Sequence, residues 1–232
     1  MFKFKEFSIE QDEAPFKVGT DSVILGSWTR LNGDETILDI GTGTGILALM
    51  LAQRLKSGHV LALEPEREAY LIAEQNFIQS NFSSKLVVVN EPLQKVVTSS
   101  KFDLIITNPP YFIDSTKNSN SSSTRARHTV DLTFTEIIDF SFKHLTESGR
   151  LNVVLPLRES ELFKKEALHV GFFKTKELLI HSFEDSGVKR VCSEYTISST
   201  TLISEELFIR NRVDNSYSEG YRNLTSSYHT HY

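Results

Sequence analysis

Hydrophobic residues along this chain occur in two kinds of run. Thr36 to Ile40, His59 to Glu64, Lys85 to Val89, Phe102 to Thr107 and Gly149 to Pro156 are short and dense in Val, Ile and Leu. Runs of that kind predict strands buried on both faces of a parallel sheet. Between them, Val23 to Trp28, Ile46 to Lys56, Glu66 to Ser80, Thr133 to Thr146 and Ser160 to Val170 carry apolar residues at helical spacing. Ala69, Ile72, Ala73, Phe77 and Ile78 form the stripe of one such helix, and Ile137, Ile138 and Phe142 the inward face of another. Strands alternating with helices predict a doubly wound α/β sheet. Elsewhere the period is two. Met1 to Ala14 places Phe2, Phe4, Phe7 and Ile9 among charges, a short strand or hairpin arm, and Phe172 to Phe183 with Val188 to Ser198 alternate over a length that suits an antiparallel hairpin. Leu207 to Arg210 is a short strand candidate, and the tail from Tyr217 to Tyr228 a terminal helix candidate. Asp114 to Thr129 is rich in Ser, Asn and Thr without periodicity and reads as a loop.

Composition narrows the picture. A chain of 232 residues with 39% hydrophobic content suits one core, so residues 1–232 are expected to form a single domain. Cys192 is the only cysteine, which excludes an intrachain disulfide and points to a reducing cytoplasm. The first residues are charged and amphipathic rather than export-like, and no apolar stretch approaches membrane-spanning length. A net charge of −5 argues against broad capture of nucleic acid, leaving room only for a confined basic face. No metal site is expected, His229 and His231 being terminal, and no serine or cysteine nucleophile arrangement is present.

Three stretches carry candidate chemistry. Asp39 lies near the end of the predicted strand Thr36 to Ile40, which runs into Gly41-Thr42-Gly43-Thr44-Gly45 before a helical pattern begins at Ile46. Glycines there permit positive φ and close approach of backbone to a ligand, and the following helix start offers unpaired N–H groups. Glu64 closes the next strand about 20 residues further on, where an acidic side chain can accept from both hydroxyls of a ribose. Asn108-Pro109-Pro110-Tyr111 follows a buried strand. Two prolines cannot donate ladder hydrogen bonds, so the strand stops and its carbonyls become available as acceptors. Asn108 adds a side-chain carbonyl, and Tyr111 a flat face for a planar group. In a doubly wound sheet the strands ending at Asp39 and Asn108 lie side by side at the topological switch point.

The glycine loop and the Asn-Pro-Pro-Tyr stretch resemble those of class I S-adenosylmethionine-dependent methyltransferases acting on planar nitrogens. That resemblance implies a Rossmann-like doubly wound class I methyltransferase sheet ending in a C-terminal antiparallel hairpin, with 1–35 an extension and cofactor-closing helix and 36–232 the core. It implies that Asp39, Gly41, Gly43 and Gly45 face the amino-acid end of S-adenosyl-L-methionine, that Lys17, Gly19 and Thr20 close over its methionine part, and that Asn108 lies against it. Thr20 or Asp21 is the expected cap of the helix that follows. It further implies that Asn108 and the Pro109 carbonyl accept the two hydrogens of an amine while Pro110 shapes the turn and Tyr111 stacks on the base. Many relatives carry an Asp for the cofactor adenine where this chain has Pro92; Asn90, Glu91 and a backbone group near Leu93 are the alternatives.

Taken with Lys17-Val18-Gly19-Thr20-Asp21, Gly26, Trp28, Arg125-Ala126-Arg127-His128 and Tyr217-Ser218-Glu219-Gly220-Tyr221, the whole chain resembles the bacterial valine tRNA adenine N6-methyltransferase family. The expected partner is then tRNA at its anticodon stem-loop, with no obligatory protein partner, and the basic residues Arg125, Arg127, His128, Lys189 and Arg190 are candidate RNA contacts. A protein glutamine methyltransferase shares the four-residue motif but usually carries an N-terminal recognition domain, for which about 35 residues are too few. A ribosomal RNA guanine N2-methyltransferase often prefers Phe at position 111 and carries a duplicated domain. A silent cofactor-binding module is the reading from outside enzymology, and the intact Asn108 and Asp39 argue against it.

Overall fold

A computed structural model describes residues 1–11, 19–31, 34–110 and 132–229. The short strands β1 (Phe2–Lys3) and β2 (Ser8–Ile9) pair antiparallel, and helix α1 (Thr20–Trp28) follows. The chain then alternates through β3 (Asp34–Ile40), α2 (Ile46–Arg54), β4 (Ser57–Leu63), α3 (Arg67–Gln79), β5 (Leu86–Val89), β6 (Phe102–Thr107), α4 (Phe134–His144), β7 (Leu145–Pro156) and α5 (Leu157–Val170). It closes with β8 (Phe173–His181), β9 (Val188–Thr196), β10 (Ile203–Phe208) and α6 (Glu219–Thr225). Among the described residues one sheet has eight strands in the order β10-β8-β9-β7-β6-β3-β4-β5. Only β9 runs against its neighbours: β7 and β8 pair with it antiparallel, and the other pairings are parallel. This is the Rossmann-like class I arrangement with its terminal hairpin.

The dense apolar runs follow from burial on both faces. Ile37, Leu104, Ile106 and Val154 feed a core with α1, α2 and the N-terminal hairpin, whereas Leu38, Ile40, Ile105, Leu151, Val153 and Leu155 feed a second core under α4 and α5. Alternate residues therefore serve opposite layers, so both parities are mostly apolar, with Asp39, Thr107 and Asn152 as buried polar exceptions.

Some helix faces differ from the pattern. Ile78 is 71% exposed and Phe142 43% exposed. On α3 the inward positions are Ala69, Ala73, Asn76 and Phe77, and on α4 they are Ile137, Ile138, Ser141 and His144. Polar side chains take three of the inner places, and two of them, Asn76 and His144, meet backbone groups of a neighbouring loop. Asn76 binds the glycine loop, and His144 Nδ1 lies 3.3 Å from the Ser100 carbonyl. The last strand also begins earlier than its apolar pair suggests, at Ile203, and Arg210 forms only an isolated bridge to Tyr217.

The C-terminal end of α1 is fastened by arginines. Arg54 donates to the carbonyls of Gly26 at 2.6 Å and Thr29 at 2.8 Å. Arg150 donates to the Arg30 carbonyl at 2.9 Å and forms a buried ion pair with Glu35. Cationic donors at the last carbonyls of a helix satisfy groups that have no partner within it.

Candidate active site

In the β3–β6 pair Ile40 lies opposite Thr107, so Gly41 and Asn108 leave the sheet next to each other. The Thr107 hydroxyl donates to the Ile40 carbonyl at 2.9 Å, tying the two strand ends together where they open into loops. This crosslink between buried backbone and a buried side chain has no signature in local sequence.

Gly41, Gly43 and Gly45 have φ of +71°, +59° and +89°. L side chains rarely adopt that region, which is the reason for glycine at each position. The surroundings differ. A Cβ at Gly41 or Gly43 would meet no protein atom within 4 Å, whereas one at Gly45 would lie 2.5 Å from Phe77 Cε1. The first two glycines thus form a shallow backbone cradle into which Cβ atoms would protrude, and the third seats the loop on α3. That cradle, with a carboxylate at the end of the adjoining strand, fits the amino-acid and ribose parts of S-adenosylmethionine.

Asp39 is fully buried beneath the loop and accepts from the Thr42 hydroxyl at 2.5 Å. Burial pushes its pKa from 3.8 up to about 7, against the opposing effects of the Thr42 hydroxyl and the Ala48 amide and with a smaller upward push from Glu64. It orients the loop from below. Between about pH 4 and 7 the folded chain keeps a proton here that the unfolded chain has released, so stability falls as pH rises through that window. The difference amounts to about 4 kcal/mol. Asp39→Asn keeps an acceptor for Thr42 without the charge; urea unfolding at pH 5 and pH 8 should show a smaller loss of stability in the variant than in the parent chain. Equal losses would remove Asp39 as the source.

Glu64 accepts from the Gly43 amide at 2.8 Å and the Glu66 amide at 2.9 Å, and burial raises its carboxyl above the usual range. A carboxylate offers about four lone-pair directions, so two backbone bonds leave capacity for a ribose diol. Asn90, one of the alternatives for the missing Asp, sits at the end of β5 beside the Glu64 turn. Its amide nitrogen donates to the carbonyls of Glu64 at 2.8 Å and Pro65 at 3.1 Å, holding the Glu64 turn. Asn76, which the apolar stripe of this helix does not include, is buried and donates to the Thr44 carbonyl at 2.8 Å while its Oδ1 accepts from the Glu10 amide at 2.8 Å. It joins the glycine loop to the N-terminal hairpin. Polar type at an inner helical position was the one available signal.

On the acceptor side, Pro109 is buried and Pro110 exposed, and Asn108 Nδ2 donates to Ser22 Oγ at 2.9 Å. Gly19 caps α1, in place of Thr20 or Asp21, so Thr20 is the first helical residue. Arg190 is bound to Asp21 at 2.8 Å rather than standing in solvent at the hairpin end. Lys17, Tyr111, Arg125, Arg127 and His128 lie outside the described residues. A cavity of about 340 Å³ lies elsewhere, lined by Trp28, Arg54, Lys176, Glu194 and Glu205. Lys176 pairs with Glu194 at 2.9 Å, Arg54 donates to the Gly26 and Thr29 carbonyls, and Trp28 Nε1 donates to Glu205 at 3.3 Å.

Residues 18–178 match the family model described as methyltransferase small domain. A Bacteroides thetaiotaomicron protein named tRNA1(Val) (adenine(37)-N6)-methyltransferase is 35% identical over 231 residues, covering 99% of this chain and 97% of the relative. The chain belongs to the tRNA1(Val) (adenine(37)-N6)-methyltransferase family. Another of its members, from Trichodesmium erythraeum, is 35% identical over 212 residues, 90% of this chain and 89% of its own. Among solved structures, an Agrobacterium tumefaciens protein described as a predicted O-methyltransferase superposes with a TM-score of 0.70 at 17% identity, covering 90% of this chain and 96% of that one. At that identity the likeness speaks for the fold that this family uses.

Proposed function

We propose that this protein methylates the N6 nitrogen of the adenine just 3′ of the anticodon of valine tRNA, using S-adenosylmethionine, and that it works in the cytoplasm as one catalytic unit. The observation that carries the reading is the Ile40–Thr107 register, which puts the glycine cradle and the Asn108-Pro109 acceptors at adjoining strand ends. Among the described residues no helix is long and apolar enough to cross a membrane.

When bound, the cofactor supplies an activated methyl group. Gly41, Gly43 and Glu64 would hold it, with Lys17, Gly19 and Thr20 over the methionine end. The chemistry left to the acceptor side is modest. An adenine amino nitrogen is a weak nucleophile because its lone pair is delocalised into the ring. Asn108 Oδ1 and the Pro109 carbonyl, accepting its two hydrogens, favour the tetrahedral, positively polarised form, which is preorganised electrostatic stabilisation. Alignment supplies much of the remaining rate. The product ammonium is acidic enough to lose its proton to water, so no protein base is required.

An anticodon-loop adenine is already largely unpaired, and turning it into the crevice costs a few kcal/mol at most. Tyr111 would stack on it, a contact worth about 1–3 kcal/mol. Tyr111→Ala is accordingly expected to raise the KM for tRNA about 5- to 100-fold while cofactor affinity stays within twofold, measured by steady-state kinetics and calorimetry. A KM unchanged within experimental error would remove the stacking role. Arg125, Arg127, His128, Lys189 and Arg190 are proposed RNA contacts, Arg190 while paired with Asp21.

The direct test is transfer of labelled methyl to tRNA lacking the modification, followed by nucleoside analysis. Label in N6-methyladenosine of valine tRNA supports the reading. Label in N2-methylguanosine, in protein glutamine, or nowhere despite cofactor binding would replace it.

A further inference from the structure

The first turn of α1 reaches two other parts of the crevice. Ser22, buried, receives the Asn108 Nδ2–H at 2.9 Å. One residue earlier, Asp21 Oδ2 accepts the Nε–H of Arg190 at 2.8 Å. Arg190 lies on β9 opposite Pro156, the last residue of β7, and β7 is the neighbour of the strand that carries Asn108. At its other end α1 is held by Arg54 through the Gly26 and Thr29 carbonyls. The helix is thus pinned at both ends, and its first turn bridges the acceptor loop and the C-terminal hairpin.

We infer that Ser22 is a positioning residue for methyl transfer: it sets the place and plane of the Asn108 amide, and the Asp21–Arg190 pair sets the place of Ser22. The reason is torsional. The last torsion of an asparagine side chain joins sp³ to sp² carbon and has broad minima, so the backbone alone leaves the amide plane loosely defined. A lateral hydrogen bond from a buried partner on a packed helix fixes it. Acceptors that stabilise a transition state act in proportion to how well they are preorganised, and small displacements are felt in the chemical step rather than in binding. The prolines after Asn108 stiffen the chain on one side, and Ser22 supports the side chain on the other.

This inference rests on Asn108 being the amine acceptor, so one experiment measures both. Kinetics with unmodified tRNA and S-adenosylmethionine would compare the parent chain with Asn108→Ala, Ser22→Ala, Ser22→Thr and Arg190→Gln. Ser22→Ala is expected to lower kcat about three- to tenfold, with both KM values within twofold, since a neutral hydrogen bond is removed and no charge is left buried. Ser22→Thr, which keeps the hydroxyl, should recover most of kcat, and Arg190→Gln should lower kcat in the same direction by less. If Asn108→Ala is inactive but Ser22→Ala turns over at the parent rate, the positioning role is wrong and the acceptor reading stands. If Ser22→Thr is as slow as Ser22→Ala, the effect is one of packing and the proposal fails. An active Asn108→Ala variant would instead remove the acceptor reading underneath both.

Discussion

Asn108→Ala is expected to lower kcat for methyl transfer about 10²- to 10³-fold while leaving S-adenosylmethionine affinity within a few-fold of the parent chain. The two halves of that expectation have separate structural causes. On the proposed reading, removing the side chain deletes one of two preorganised acceptors facing the amine, and the loss falls on the step in which positive charge develops on nitrogen. The proposed cofactor side keeps the Gly41 and Gly43 cradle and the Glu64 carboxylate, which follow β3 and β4 and are joined by the Gly43 amide bond to Glu64. Asn108→Asp retains an oxygen acceptor and should lose less than alanine does. Single-turnover transfer with calorimetric measurement of cofactor binding would check this. A loss below tenfold in the alanine variant, or loss of cofactor binding along with transfer, would place Asn108 in cofactor binding rather than at the amine.

The residues that make up this crevice were unequally visible in the sequence. Asp39, the three glycines, Glu64 and the Asn108-Pro109-Pro110 stretch each announce themselves locally, because a strand end, a positive φ or a missing N–H demands a particular residue type at that point. Their meeting was legible too, since parallel strands separated by helices leave few topologies and place the switch between β3 and β6. What could not be read were pairings between distant side chains: Thr107 with Ile40, Asn76 with Thr44, Ser22 with Asn108, and Arg190 with Asp21. None of these has a period or a composition cue, because each satisfies a polar group belonging to another element.

The misplaced helix faces have the same cause. Phe142 and Ile78 were counted inward because they are apolar, yet the inner positions beside them belong to His144 and Asn76, which have backbone carbonyls to meet. Arg190 is the instructive case for function. A basic pair at a hairpin end reads as an RNA contact, and the structure adds what that pattern did not show: the second member is paired with Asp21, on the same helical turn as Ser22.

Gly45→Ala should have the largest effect on stability among the loop substitutions. Gly45 caps α2 at φ +89° and ψ 13°, where an L residue costs about 1–2 kcal/mol. The added methyl would also lie 2.5 Å from Phe77 Cε1 and 3.2 Å from its Cζ. Phe77 is buried in the core shared by α2 and α3 and its ring has little room to yield, so overpacking adds about 1–3 kcal/mol. The sum, about 2–5 kcal/mol, corresponds to a fall of about 4–20 °C in melting temperature for a chain of this size. Gly43→Ala separates the two terms, because it shares the positive φ but has no protein atom within 4 Å of the new Cβ. It should lose only the backbone part of the stability, and its main deficit should be in cofactor affinity, since the methyl enters the cradle. Thermal unfolding of Gly45→Ala, Gly43→Ala and the double variant Gly45→Ala with Phe77→Leu measures each part. Trimming the ring should lessen the penalty of alanine at position 45 relative to the Phe77→Leu background. If that penalty is unchanged, the contact with Phe77 is not what requires glycine there, and the left-handed backbone alone accounts for it.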